Sequence, residues 1–193
     1  MRAFAAWRTG LRAALLLARG RAEGVRLLDV GPANAMPLAA WSFVAALICL
    51  PGYAGMRGFD WMQEGSSSRA IHGAMAELLA FVVGWAGFAL ASHRLAAVLH
   101  RSSLWPRFIA LWNWCNVVQY LLLVVFSIPG LLGAPALINQ GAQLVGLGWA
   151  LWLEWFAFRL TLGIGGIAAA GLVLLDVAIG IVLAAMGAAI TAT

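Results

Sequence analysis

Between Met36 and Ile190 the sequence runs through about five apolar stretches of roughly twenty residues each, with most of the charge confined to the short segments between them. A helix needs about 20 mostly apolar residues to cross a hydrocarbon core ~30 Å thick, where the backbone must satisfy its own hydrogen bonds. The pattern therefore predicts an all-α fold, a polytopic transmembrane helix bundle of about five spans. The expected spans cover residues 36–56, 69–92, 108–128, 141–160 and 167–190. Composition agrees: 64% of the 193 residues are hydrophobic and 10% charged, with a mean hydropathy of +0.93, outside the range of soluble globular domains. That length leaves no room for a separate soluble domain.

All twelve basic residues are arginine, and six of them, Arg2, Arg8, Arg12, Arg19, Arg21 and Arg26, precede the first apolar stretch. Positive flanks resist translocation, so the N-terminus is expected in the cytoplasm and the chain in a bacterial inner (cytoplasmic) membrane. The segment from Arg57 to Ser68, with Asp60 and Glu64, reads as the first external loop. His93, Arg94, His100, Arg101 and Arg107 then return the chain to the cytoplasm, and the uncharged loop holding Pro135, Asn139 and Gln140 suits the outside. Gly163, Gly165 and Gly166 make a cytoplasmic turn before the last span. A re-entrant hairpin at this point would instead leave the C-terminus inside.

Residues 1–30 form the first unit and residues 31–193 the bundle. The apolar run Ala13 to Ala18 is short and is followed by Arg19 and Arg21, unlike a cleavable signal peptide. Phe4, Trp7, Leu11, Ala14, Leu15 and Ala18 recur at helical spacing, while Arg2, Arg8, Arg12 and Arg19 occupy much of the remaining circumference. This predicts an amphipathic helix in the headgroup plane, with Arg2, Arg8, Arg12, Arg19 and Arg21 on anionic lipid. The alternative is a helix packed on the cytoplasmic end of the bundle. Few aromatics interleave with these arginines, which argues against nucleic acid as a partner.

Charged side chains at membrane depth are costly and by default mark function. Glu77 falls in the second span, Glu154 in the fourth and Asp176 in the fifth, with Arg159 about one turn beyond Glu154. In the third span Asn113, Asn116 and Tyr120 share a helical face with Gln119 beside them. Depth along the helices predicts an inner cluster of Asn113, Asn116, Glu154 and Arg159 and a midplane pair of Gln119 and Asp176. These groups serve either as a proton or ion path or as interhelical hydrogen bonds that fix helix order.

Ala76, Ala80 and Gly84, then Gly180, Ala184 and Ala188, have the small-xxx-small spacing of close helix packing. Trp41, Trp61, Trp105, Trp112, Trp114, Trp149, Trp152 and Trp155 lie towards span ends, as an interfacial belt requires, and Trp85 is the exception. Cys49 and Cys115 sit in apolar segments and read as small hydrophobes. His72, His93 and His100 lie near span ends, so no cofactor or metal is expected, and no nucleotide-binding or triad motif fits the topology.

Asp29-Val30-Gly31-Pro32 ahead of the first span, together with the five-helix arrangement, resembles the Yip1-like family of small membrane proteins. The chain also resembles bacterial relatives with a Leu-Leu-Asp segment before span one, Asn-Trp in span three and Glu-Trp-Phe in span four. Here these are Leu27-Leu28-Asp29, Asn113-Trp114 and Glu154-Trp155-Phe156. The resemblance covers residues 20–190, departs from the family's Asp-Leu-Tyr-Gly-Pro element in lacking its tyrosine, and implies membrane organisation or trafficking-type partner binding. The expected function is a non-enzymatic membrane scaffold or accessory subunit that binds another membrane protein, or a second copy, and anionic lipid. The alternative is a small transporter or proton-conducting bundle using Glu77, Gln119, Glu154 and Asp176.

Overall fold

The computed structural model describes residues 3–52 and 67–191, and every regular element among them is helical. Helix α1 (Ala3–Ala18) is followed by a 3-10 segment (Ala22–Leu28). Helix α2 (Pro32–Ser42) turns at Phe43 and is helical again over residues 44–52. Then come α3 (Ser67–Val98), a short 3-10 turn (Ser102–Leu104), α4 (Trp105–Leu131), α5 (Ala136–Leu162) and α6 (Gly166–Thr191). Proline marks several starts: Pro32 opens α2, Pro106 lies in the first turn of α4 and Pro135 precedes α5, positions where the missing N–H costs no hydrogen bond. Arg2 and residues 53–66, which hold Trp61 and most of the expected first loop, lie outside the described residues.

Four segments are long and apolar enough to cross a membrane: Pro32–Gly52, Met75–Val98, Ser102–Leu131 and Gly166–Gly187. Helix α5, expected as the fourth span, has 27 residues, ample length at ~1.5 Å per residue. It falls outside this group because Asn139, Gln140, Gln143, Glu154 and Arg159 dilute its apolar character.

Helix α4 is the axis. From Phe108 to Cys115 every residue is buried, so this stretch is enclosed on all sides rather than along one stripe. Helix α5 packs most extensively on α4, and α1 and α2 cover two further sides. The fourth side is filled by aromatic side chains from α3: Phe88 stacks on Trp112 with centroids 4.6 Å apart, and Trp85 lies 5.2 Å from Trp112. Helix α3 packs its backbone against α6 rather than α4. Gly84 of the first expected small-residue stripe lies opposite Leu183 of α6, while Gly180 of the second has nothing within 4 Å of an added Cβ.

Helix α1 packs on the bundle with Gly10, Ala13, Ala14, Leu17 and Ala18, with Leu15 partly buried beside them, so the expected apolar face is buried at Ala14 and Ala18 but not at Trp7 and Leu11. Gly10 is the point of closest approach, since a Cβ there would collide with the indole of Trp114. Trp7 and Leu11 stay 36% and 37% exposed, between the packed face and the exposed Arg8 and Arg12. The tryptophan belt needs correction on the same grounds. Trp112 and Trp114 are core residues at 3% exposure, because the part of α4 that carries them is wrapped by other helices.

Gly10→Val is therefore expected to lower the thermal stability of the detergent-solubilised protein by roughly 1–3 kcal/mol, the cost typical of overpacking. Gly148→Ala, where an added Cβ meets nothing within 4 Å, is the control and leaves the midpoint close to wild type.

Candidate functional site

Two sets of polar groups inside the bundle are joined through Trp112. In the first, Asn113 is fully buried and works in both directions: its Oδ1 accepts the Trp85 indole N–H at 2.6 Å and its Nδ2 donates to Ser42 Oγ at 2.7 Å. Ser42 donates in turn to the Ala39 carbonyl at 2.6 Å. One amide thus ties α3, α4 and α2 together. The network explains why Trp85 sits away from the interface: its ring is buried and its N–H has a partner.

In the second set the Trp112 indole N–H donates to Asp176 Oδ2 at 3.1 Å, crossing from α4 to α6. Glu154 of α5, 3% exposed, meets both the Asp176 carboxyl and the Gln119 amide. The Gln119 amide donates to the Ala150 carbonyl at 2.9 Å, and Glu154 Oε1 has no hydrogen-bond partner. Glu154 and Asp176 thus bring carboxyl groups of α5 and α6 together inside the bundle.

The residues singled out by sequence are thus regrouped. Asn113 bonds to Trp85 and Ser42 rather than to Glu154, and Asn116 donates to the Trp112 carbonyl at 3.0 Å. Gln119 shares Glu154 with Asp176. Arg159 does not join the inner cluster: it is exposed, its guanidinium 5.5 Å from the centroid of Trp155. At helical spacing Glu154 and Arg159 differ by five residues, about 140° around the axis, so a helix with Glu154 inside turns Arg159 outward. Glu77 lies with Asn116, Tyr120 and Asp176 around a cavity between α3, α4 and α6.

Two further features follow only from packing. Phe88, Phe108 and Phe158 form a cluster one turn beyond Glu154, with centroid separations of 6.2, 5.8 and 4.8 Å. With Leu111, Leu153 and Ala157 fully buried nearby, this cluster fills the interior between the acid pair and Arg107. Arg107 itself, read from sequence only as a topology signal, reaches Asp29 at 3.4 Å and the Thr161 carbonyl at 3.3 Å. It joins the segment before α2 to the end of α5. A lone arginine in a basic loop gave no sign of these partners, and neither did Ser42 in its apolar run.

Among the N-terminal arginines, Arg8, Arg12, Arg19 and Arg21 are exposed, and Arg21 pairs with Glu23 at 3.4 Å. Comparison of the chain with protein-family models, curated proteins and solved structures finds no match.

Asn113→Leu is expected to cost about 1–3 kcal/mol, because it strands the buried Trp85 N–H and removes the donor to the Ser42 oxygen. Trp85→Phe should cost less in the Asn113→Leu background than in wild type. Unfolding in mixed micelles across the double-mutant cycle measures this coupling, and strict additivity would contradict the hydrogen bond as a stabilising element.

Proposed function

We propose that this is a five-span membrane protein of a bacterial inner membrane, N-terminus cytoplasmic and α5 among the spans. In this reading it is a non-enzymatic scaffold or accessory subunit that binds another membrane protein, or a second copy, and anionic lipid. The observation that carries the reading is the aromatic cluster of Phe88, Phe108 and Phe158, which fills the interior beyond Glu154. With hydrogen bonds joining α2, α3, α4 and α6, it suits a bundle that holds a shape better than one that conducts. Interhelical hydrogen bonds of this kind average ~0.6 kcal/mol in membranes, enough to fix helix order.

Two surfaces support the partners. On α6, Gly171, Ala178 and Ala185 share one exposed face, and small residues there let a neighbouring helix approach closely. On α1, exposed Trp7 and Leu11 beside Arg8 and Arg12 suit insertion at the headgroup boundary, with guanidinium groups on phosphate. The Yip1-like resemblance belongs to the same proposal, with Asp29 of its motif held by Arg107 and Pro32 opening the first apolar helix. A second reading, a small transporter or proton-conducting bundle, is favoured by the contact between Glu154 and Asp176.

The test is purification of the tagged full-length protein from its native membrane in nanodiscs, with mass spectrometry of what travels with it. A stoichiometric partner, or a stable homo-oligomer, that is lost on Ala178→Trp supports the scaffold reading. A bare monomer overturns it. Liposomes carrying the protein are expected to hold a proton gradient as long as empty ones, whereas a leak removed by Glu154→Gln with Asp176→Asn would establish the second reading.

A further inference from the structure

Helix α1 ends well along the bundle, away from the tips of the helices it packs on. The Ala18 carbonyl accepts the Trp149 indole N–H at 3.1 Å. Gly20, at φ +75°, closes the helix there, and a Cβ on it would lie 3.8 Å from the Trp152 ring. Trp149 and Trp152 precede Leu162, the last residue of α5, by 13 and 10 residues (162 − 149 and 162 − 152). At ~1.5 Å per residue they stand roughly 15–20 Å from that end. Arg19 and Arg21, on either side of Gly20, are exposed at this level. Further along α5, Gln140 and Gln143 are exposed too. Between Gln143 and Trp152 lie the exposed Leu144, Val145 and Leu147, in an apolar band of nine residues (152 − 143), ~14 Å tall. Helix α6 differs: its apolar stretch Gly166–Gly187 has 22 residues, ~33 Å, with Leu174, Ile181, Val182 and Met186 exposed along it.

A hydrocarbon core is ~30 Å thick, so α6 matches it while the α1–α5 flank reaches about half of it. We propose that the bilayer is thinned along this flank, with phospholipid headgroups of the inner leaflet drawn in to Arg19 and Arg21 at the level of Trp152. A bilayer accommodates a short apolar surface by thinning, and exposed guanidinium groups at this depth are costly unless water and phosphate reach them. Their apolar stems can lean along the protein surface toward the headgroups, and anionic lipid supplies the counter-charge. A second copy covers the flank less well, because two such flanks facing each other about a two-fold axis would set arginine against arginine. The proposal rests on the reading of α5 as a span with the N-terminus cytoplasmic, and goes beyond it in naming the form of the lipid surface that the protein fits.

The test places single cysteines by Arg21→Cys and Gln143→Cys on the thin flank and by Leu174→Cys and Met186→Cys on α6. The α6 pair is 12 residues apart (186 − 174), ~18 Å. All four positions are exposed, so the variants are expected to keep the chromatographic profile of wild type, and the native Cys49 and Cys115 are buried. The full-length protein, one copy per nanodisc of 18-carbon phosphatidylglycerol, is treated with a charged, membrane-impermeant maleimide. Arg21→Cys and Gln143→Cys should react at least tenfold faster than Leu174→Cys and Met186→Cys, although the α6 pair is the more widely spaced. If either thin-flank cysteine reacts as slowly as the α6 pair, or if all four react alike, the proposal is overturned. Sidedness separates that failure from failure of the five-span reading. In spheroplasts of a bacterial expression host only Gln143→Cys should react, and in inverted vesicles only Arg21→Cys. Reaction of both from one side would overturn the assignment of α5 as a span and the proposal with it, whereas reaction from opposite sides at rates no faster than the α6 pair would overturn the thinning alone.

Discussion

Asn113 has donors and an acceptor to satisfy at a point that water does not reach, and the way it does so sets the arrangement around it. Its carbonyl takes the Trp85 N–H and its amide reaches Ser42, so α2 and α3 must approach α4 at one height and from two directions. An unmet amide buried in a bundle costs more than a met one contributes. The constraint therefore acts chiefly against other packings: sliding either helix by a turn would leave a donor or acceptor stranded.

Around that anchor the aromatic residues decide the shape. Trp112 stacks on Phe88 and hydrogen-bonds to Asp176, linking α3, α4 and α6. Because these side chains are large, α3 stands away from α4 and packs against α6, and a cavity remains between the three helices. The same bulk one turn beyond Glu154 fills the interior with Phe108 and Phe158.

Much of the fold was legible in the sequence because hydrophobic length and proline position act locally. Of the five segments expected as spans on that basis, four are long and apolar enough to be so, with ends displaced by a few residues. The candidate site was legible only as a list. Asn113, Gln119, Glu154 and Asp176 could be named because polar groups in apolar runs are conspicuous, but depth along a helix does not say which way a side chain points. Glu154 was matched with Arg159 by proximity in sequence, yet the helical turn sends the two to opposite sides, and the partner of Glu154 is another acid 22 residues further on, 176 − 154. Trp112 and Trp114 were read as belt residues, since an amphipathic ring at a span end usually is one. Nothing local announces that α1 covers Trp114 with a glycine.

What the sequence determined by itself is the solvent and the elements: runs of apolar residues long enough for a bilayer, prolines that start helices, and arginines that mark the polar ends. Those follow from free energies summed residue by residue along the chain. The tertiary structure decided which polar groups meet, which tryptophans are core, that the acids pair with each other, and that a cavity remains between α3, α4 and α6. These outcomes depend on the rotation of each helix about its own axis and on how closely two backbones approach. Both are fixed by side chains far apart in sequence, Gly10 against Trp114 and Asn113 against Ser42.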